Sequence, residues 1–231
     1  MTWLNMVGLI SAIALFLPIS IILILRLSWY KSFPALLVYY FFVSCYNILS
    51  MDFVKADKDF IYYFGVINNL LDAPLMLTFM TYFSKTALFR KRMKMIVIAL
   101  VLAELILVAV VGFNIKAATI ALAPGLLLVL SFALLFFIHQ AKITVVYQKA
   151  VGKAMIAASL LFAYGGYAFV YVVYYLIKSP YKADTLFVYY LINTLSVFLL
   201  TAGIYFEQKR VKQLTELKVA REELRIVYGR S

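Results

Sequence analysis

The segment MIVIALVLAELILVAVVGF runs from Met95 to Phe113 and follows the basic stretch RKRMK at Arg90 to Lys94. An apolar run of this length crosses the hydrocarbon core of a bilayer as one helix, which takes about 20 residues. In lipid, a single segment satisfies all of its backbone hydrogen bonds only as a helix. The segment therefore predicts a transmembrane helix with a basic cluster at one end.

Comparable apolar runs recur along the chain and are joined by short loops. Of the 231 residues, 66% are hydrophobic and 14% are charged, which leaves too little polar surface for a water-soluble globule. We predict an all-α membrane protein, a bundle of seven transmembrane helices formed by residues 1–206 and followed by a helical tail at 207–231. The predicted spans 1 to 7 cover about 3–25, 34–50, 61–84, 95–113, 118–138, 154–177 and 186–206.

Basic residues are divided unevenly between the two sets of loops. Seventeen lie after spans 1, 3 and 5 and in the tail, whereas five lie after spans 2, 4 and 6. By the positive-inside rule, the N-terminus is predicted outside and the tail in the cytoplasm of a multi-pass protein, in the bacterial inner membrane. The basic residues behind the net charge of +12 are thus explained by their role in orienting the helices in the membrane. No nucleic-acid partner is therefore expected.

Two segments of the chain look like copies of each other. The sequence KADKDFIYY from Lys55 to Tyr63 precedes most of span 3, and KADTLFVYY from Lys182 to Tyr190 begins span 7. If they share ancestry, spans 1 to 3 duplicate spans 5 to 7, and span 4 is the linker of a 3+1+3 parallel repeat. The alternative is a chance match between apolar, tyrosine-rich segments.

In this topology, and in residues of spans 3 and 7, the chain resembles the seven-helix group that includes microbial rhodopsins and SWEET-type sugar transporters. Span 3 carries Asp72-Ala-Pro74, where rhodopsins have a polar pair before a proline, and Asn68 stands where a counter-ion carboxylate would be expected. Span 7 differs, because it has no lysine between Phe187 and Phe206. The resemblance therefore implies a rhodopsin-like topology without a retinal Schiff base, and no cofactor is expected.

Two carboxylic acids lie within the predicted spans, Asp72 in span 3 and Glu104 in span 4. An ionised carboxylate at the bilayer centre costs about 2.5–3.5 kcal/mol, and neither acid has a basic residue in the spans to pair with. We therefore expect both to be neutral at physiological pH unless water or a cation reaches them. Asp72 is predicted to bind a ligand or protons, or alternatively to hydrogen-bond between helices. For Glu104, a structural or oligomeric role is favoured.

Further polar side chains are expected to face Asp72. They are Asn68 in span 3, Asn193 in span 7, and a stripe in span 6 formed by Tyr164, Tyr167, Tyr171 and either Tyr174 or Tyr175. A crevice between these three spans would suit a small amphipathic ligand, although aromatic packing explains the tyrosine stripe equally well. Three tyrosine pairs are predicted to form an aromatic belt at the outer interface: Tyr62–Tyr63, Tyr174–Tyr175 and Tyr189–Tyr190.

No motif typical of an enzyme occurs, and the single Cys45 and single His139 favour neither a disulfide framework nor a metal site. We predict a non-enzymatic, receptor-like sensor that responds to a small ligand or protons and signals through its tail. The alternatives are a small-solute transporter or channel with Asp72 as coupling site, and a structural membrane subunit. Expected partners are the lipid bilayer, a small amphipathic ligand, and a cytoplasmic or membrane protein or a second copy of the chain.

Overall fold

The structure is a computed structural model that describes residues 3–50, 57–84, 86–147, 150–177 and 182–228. All regular secondary structure in these ranges is helical. The α-helices are α1 Trp3–Ala14, α2 Phe16–Ile24, α3 Phe33–Leu49, α4 Lys58–Met80, α5 Ala87–Val111, α6 Ile115–Tyr147, α7 Val151–Tyr171 and α8 Lys182–Tyr228. A 3-10 turn at Thr81–Phe83 extends α4, and a π-helical turn at Val172–Leu176 extends α7.

Six helical segments within the described ranges are long and apolar enough to cross a membrane, counting α1 and α2 as one. The helix α3 is also apolar but shorter. The prediction of an all-helical, multi-pass membrane protein is confirmed at this level. Lys55 and Ala56 of the first repeat segment, and residues 229–231 of the expected tail, lie outside the described ranges.

The first apolar segment is broken at Leu15, between α1 and α2. Pro18 has no backbone N–H group, so the carbonyl group of Ala14 loses its usual helical partner four residues later. Pro74 and Pro124 have the same chemistry but lie inside α4 and α6, whose helical assignment continues through them. These three prolines therefore differ in their effect, and of the three only Pro18 lies next to a break between two helices.

The helices pack as a ring. The pair α1 and α2 lies beside α3, followed by α4, α6, α7 and α8, and α8 closes the ring against α1 and α2. Helix α5 lies outside this ring and packs against α4 and α6. Large buried side chains fill the end of the ring where α3 and α7 begin, for example Phe33, Phe79 and Ile156.

Small residues allow α7 and α8 to approach closely. A Cβ atom added at Gly203 would lie 2.8 Å from the backbone nitrogen of Ile156, which is too close for an unstrained contact. A Cβ atom at Gly166 would lie 2.5 Å from Ile192, whereas one at Gly165 would meet nothing nearer than 3.9 Å. Of the two adjacent glycines, only Gly166 is therefore required for close helix packing.

Helix α8 continues without interruption from the bundle into the segment expected to be the tail. Glu207, the first residue of that segment, is only 2% exposed. Its carboxylate accepts a hydrogen bond from the Tyr82 hydroxyl and is paired with Arg210, whose Nε lies 2.9 Å from Oε2. The packed part of α8 thus extends beyond the predicted boundary, because Glu207 finds polar partners inside the protein.

Candidate functional site

A cavity lies inside the ring, towards the end where α3 finishes and α4 and α8 begin. It has an empty volume of about 770 Å³, part of which is open to the outside. Six tyrosines, three asparagines and one carboxylic acid line it together with aliphatic side chains. The lining residues are Tyr39, Val43, Tyr46, Asn47, Asn68, Asn69, Asp72, Leu122, Leu126, Tyr167, Val170, Tyr171, Tyr175 and Tyr189.

Asp72 is the acidic residue in the cavity wall. The hydroxyl group of Tyr164, which is 1% exposed, donates a hydrogen bond to Oδ2 of Asp72 over 3.2 Å. The hydroxyl group of Tyr39 also interacts with this carboxyl group. None of the described residues that line the cavity is a lysine, arginine or histidine. Tyrosine hydroxyls are therefore the groups that the protein itself places against the acid.

A chain of hydrogen bonds ties one wall of the cavity to the N-terminal helix. The Tyr167 hydroxyl donates to Oδ1 of Asn193 over 3.0 Å, and Nδ2 of Asn193 donates to the Ser11 hydroxyl over 2.9 Å. Asn193 is 2% exposed and Ser11 is fully buried. Because buried amides are costly to leave without partners, this chain holds α7, α8 and α1 in a defined arrangement.

The C-terminal end of α7 and the π-helical turn that follows it line the cavity. The Tyr171 hydroxyl donates to the backbone carbonyl of Thr119 over 3.2 Å, which connects α7 to α6. Immediately afterwards the helix widens into the π-helical turn, and Tyr175 of this turn lines the cavity. Such turns are rare and are frequently found at functional sites. Because a π-helical turn holds more residues than an α-helical turn, the side chains at the end of α7 point in other directions than they would in a continuous α-helix.

The structure brings together most of the side chains that the sequence pointed to. Asp72, Asn68, Tyr167 and Tyr171 line the cavity directly. Tyr164 and Asn193 lie behind the wall and contact it through the hydrogen bonds to Asp72 and Tyr167.

Glu104 is placed elsewhere. It is 8% exposed, and it is one of three buried residues of α5, together with Met93 and Leu100. It does not line the cavity, but it lies close enough to Asp72 for the two carboxyl groups to interact electrostatically. Its burial shows that this side of α5 faces α4 and α6, although most of the helix is exposed.

Other lining residues were not expected from the sequence. Tyr39, Tyr46 and Asn47 come from α3, and Leu122 and Leu126 come from α6, so five helices rather than three enclose the space. Tyr189 was assigned to the aromatic belt, and Tyr175 was assigned both to that belt and, as an alternative to Tyr174, to the stripe of span 6. Adjacent residues of a helix point about 100° apart. One tyrosine of an adjacent pair can therefore face inward while its neighbour faces outward, and the pairing of the tyrosines in the sequence was a sign that one of each pair could line a cavity.

The cavity offers hydroxyl and amide groups as donors and acceptors and one carboxyl group near its deep end. Within the described residues, no three histidine, cysteine, aspartate or glutamate side chains are grouped so that they could hold a metal ion. No family model, curated protein or solved structure matches this chain. The proposals below follow from the arrangement of its own residues.

Proposed function

We propose that this chain is a receptor-like membrane sensor, in which a small ligand or protons taken up at the Asp72 cavity change the packing of α8 and its cytoplasmic extension. The observation that carries the proposal is the continuity of α8, which is one helix of 47 residues. Its length is about 70 Å at 1.5 Å per residue. The same rigid element therefore contacts the cavity through Tyr189 and ends far from it.

Contacts along α8 support transmission over this distance. Near the cavity, Asn193 binds both Tyr167 and Ser11. Farther along, Val197, Leu200 and Ile204 are fully buried. Because these side chains are closely packed, α8 is expected to move as one stiff rod when its end at the cavity shifts. The movement would then reach Glu207 and its bonds to Tyr82 and Arg210.

The proposed topology has seven spans, with α1 and α2 forming the first, the N-terminus outside and the tail in the cytoplasm. The ring supports the 3+1+3 repeat. A half-turn about its centre would exchange α1–α2 with α6, α3 with α7, and α4 with α8, and would leave α5 outside as the linker. Parallel repeats are related by such an axis along the membrane normal. The similarity to rhodopsins and SWEET-type transporters concerns this topology and stays a prediction.

A mobility measurement on the tail tests the sensor proposal. A spin label is attached to a cysteine at Gln213, an exposed position, in a Cys45→Ala background reconstituted into nanodiscs. We expect its mobility to change when the pH is stepped from about 8 to about 5 or when a cavity ligand is added, and Asp72→Asn to abolish the change. Glu104→Gln is the matched control, because it removes the other intramembrane acid, which interacts electrostatically with Asp72 but does not line the cavity. A label that ignores both pH and bound ligand in the unmodified protein would contradict the proposal.

A transporter of small solutes, with Asp72 as coupling site, is the second candidate. It is favoured by the ring arrangement, because two related halves around one cavity can rock against each other to expose it on alternate sides. Solute flux in proteoliposomes that is lost in Asp72→Asn and retained in Glu104→Gln would support this function. The absence of flux together with a responsive tail label would favour the sensor.

A further inference from the structure

We propose that the cavity binds a ligand through a positively charged ammonium group, so that its natural ligand is an organic cation. This inference rests on the proposed function, since it names the ligand class of the same site. It follows from three properties of the described residues that line the cavity: one carboxyl group, six tyrosine side chains and no basic side chain.

The carboxyl group of Asp72 has no positively charged partner among the described residues of the cavity wall. The carboxyl group of Asp72 interacts with the hydroxyls of Tyr164 and Tyr39, and these are neutral donors. An ionised carboxylate surrounded by protein and lipid is stable only when an opposite charge is nearby. Three cations at the opposite end of the ring have other partners there: Arg210 pairs with Glu207, and Lys31 and Lys153 lie over the ring of Tyr82. A bound ammonium ion would supply the missing positive charge.

The second argument concerns the shape of the wall. The ring of Tyr167 lies 5.6 Å from that of Tyr164 at 70° and 5.7 Å from that of Tyr189 at 36°. The rings of Tyr171 and Tyr175 are 5.3 Å apart at 41°. Four of these rings, those of Tyr167, Tyr171, Tyr175 and Tyr189, belong to residues that line the cavity, so a group bound there lies among aromatic side chains. The negative face of an aromatic ring attracts ammonium groups, and aromatic cages are known to recognise quaternary ammonium ions.

The third argument concerns the rest of the ligand. Asn47, Asn68 and Asn69 line the cavity and could hydrogen-bond a hydroxyl or carbonyl group attached to the cation. An anionic ligand would meet the carboxyl group of Asp72, and no described lining residue is basic and could hold it. The amide of Asn47 already donates to the carbonyl of Val43, but a wholly apolar ligand would cover Asn68 and Asn69 without hydrogen-bonding them, at a cost for each amide. Among small ligands, a polar organic cation therefore satisfies the most lining groups.

The test compares two molecules of nearly the same shape. Choline carries a quaternary ammonium, and 3,3-dimethylbutan-1-ol replaces its nitrogen with carbon. Both are titrated calorimetrically into the full-length protein in phosphatidylglycerol nanodiscs, whose lipid has no ammonium group. Tetramethylammonium and phosphatidylethanolamine added to the nanodiscs serve as further probes. We expect choline to bind at least about tenfold more tightly than the alcohol, as a charge-assisted contact requires.

Variants then locate the site. Asp72→Asn is expected to weaken choline binding by roughly tenfold to a hundredfold, whereas Glu104→Gln should change it by less than about twofold. The comparison of choline with its neutral analogue uses the unmodified protein, so it remains decisive if a variant fails to fold. Competition by phosphatidylethanolamine would identify the ammonium as that of a lipid headgroup, and no competition would identify a free solute; either result supports the inference.

Three results would overturn it. The first is equal binding of choline and the alcohol, the second is that none of the three ammonium compounds binds, and the third is that they bind independently of Asp72. Failure of the sensor proposal looks different. In that case choline binds and depends on Asp72, but the spin label at Gln213 does not respond.

Discussion

Removing the hydroxyl group of Tyr82 tests whether the buried contact with Glu207 anchors α8. Tyr82→Phe is a clean perturbation, because the ring is 5% exposed and keeps its packing. It also keeps the cation contacts from Lys153 and Lys31, whose Nζ atoms lie 4.7 and 5.3 Å from the ring centroid. The variant therefore removes the interactions of one hydroxyl group, which are its hydrogen bond to the Glu207 carboxylate and its contact with Arg210.

The expected loss follows from the burial of Glu207. A hydrogen bond to a charged group contributes about 1.5–3 kcal/mol, and at 2% exposure water cannot easily replace the missing donor. Arg210 still donates two N–H groups to the same carboxylate, which limits the damage. We therefore expect Tyr82→Phe to lower the free energy of unfolding by about 1.5–2 kcal/mol. Glu207→Gln should cost a similar amount, and the double variant less than the sum.

The measurement is reversible unfolding by sodium dodecyl sulfate in mixed micelles, on the two single variants and the double variant. Tyr62→Phe is the matched control. The Tyr62 hydroxyl accepts a hydrogen bond from the backbone N–H of Ile115 over 3.0 Å, but this side chain is 42% exposed. Water or headgroups can replace that bond, so the control should change stability by less than about 0.5 kcal/mol.

Two outcomes would show that the Tyr82–Glu207 contact does not anchor α8. One is that Tyr82→Phe is as stable as Tyr62→Phe, and the other is that the effects of Tyr82→Phe and Glu207→Gln are additive within about 0.5 kcal/mol. Additivity would mean that the two groups do not interact energetically. The spin label at Gln213 gives a second readout: it should become more mobile in Tyr82→Phe, because the extension of α8 loses one of its attachments. Unchanged mobility would show that the contact does not hold the tail.

Two more predictions address packing and topology. Gly203→Ala should lower the free energy of unfolding by about 1–3 kcal/mol through overpacking against Ile156, whereas Gly165→Ala should be neutral or stabilising by up to about 1 kcal/mol; equal unfolding transitions of the two variants would contradict the close approach of α7 and α8. In a Cys45→Ala background, a cysteine at Asp59 should react with a membrane-impermeant maleimide in intact cells and one at Gln213 only after permeabilisation, and the reverse pattern would invert the proposed topology.

The existence of the helices could be predicted from the sequence, because apolar length alone identifies a segment that lipid will accept. Their ends were less predictable. Helix α5 begins at Ala87 and α6 continues to Tyr147, beyond the expected spans 95–113 and 118–138. Hydropathy marks the part of a helix that matches the hydrocarbon, whereas the backbone continues through flanking lysines and arginines, which are good helix formers.

The polar cluster was partly predictable for a different reason. Polar groups in apolar helices avoid lipid, so Asp72, Tyr164 and Asn193 were expected to face one another. Their other partners could not be identified. A helix that is apolar on all sides has no stripe that tells which face turns inward, so Tyr39 and Tyr46 look like ordinary aromatic residues of α3. Ser11, the partner of Asn193, looks like any serine in a transmembrane helix.

The closure of the ring between its first and last helices has a consequence for biosynthesis. Ser11 and Asn193 are separated by 182 residues, and the ribosome adds about 5–20 residues per second. The N-terminal helix therefore waits in the bilayer for roughly 10 to 40 s before the segment that covers its inner side is translated. Throughout that interval its serine hydroxyl lacks Asn193, and a carbonyl group in the preceding turn of its own helix is the partner within reach.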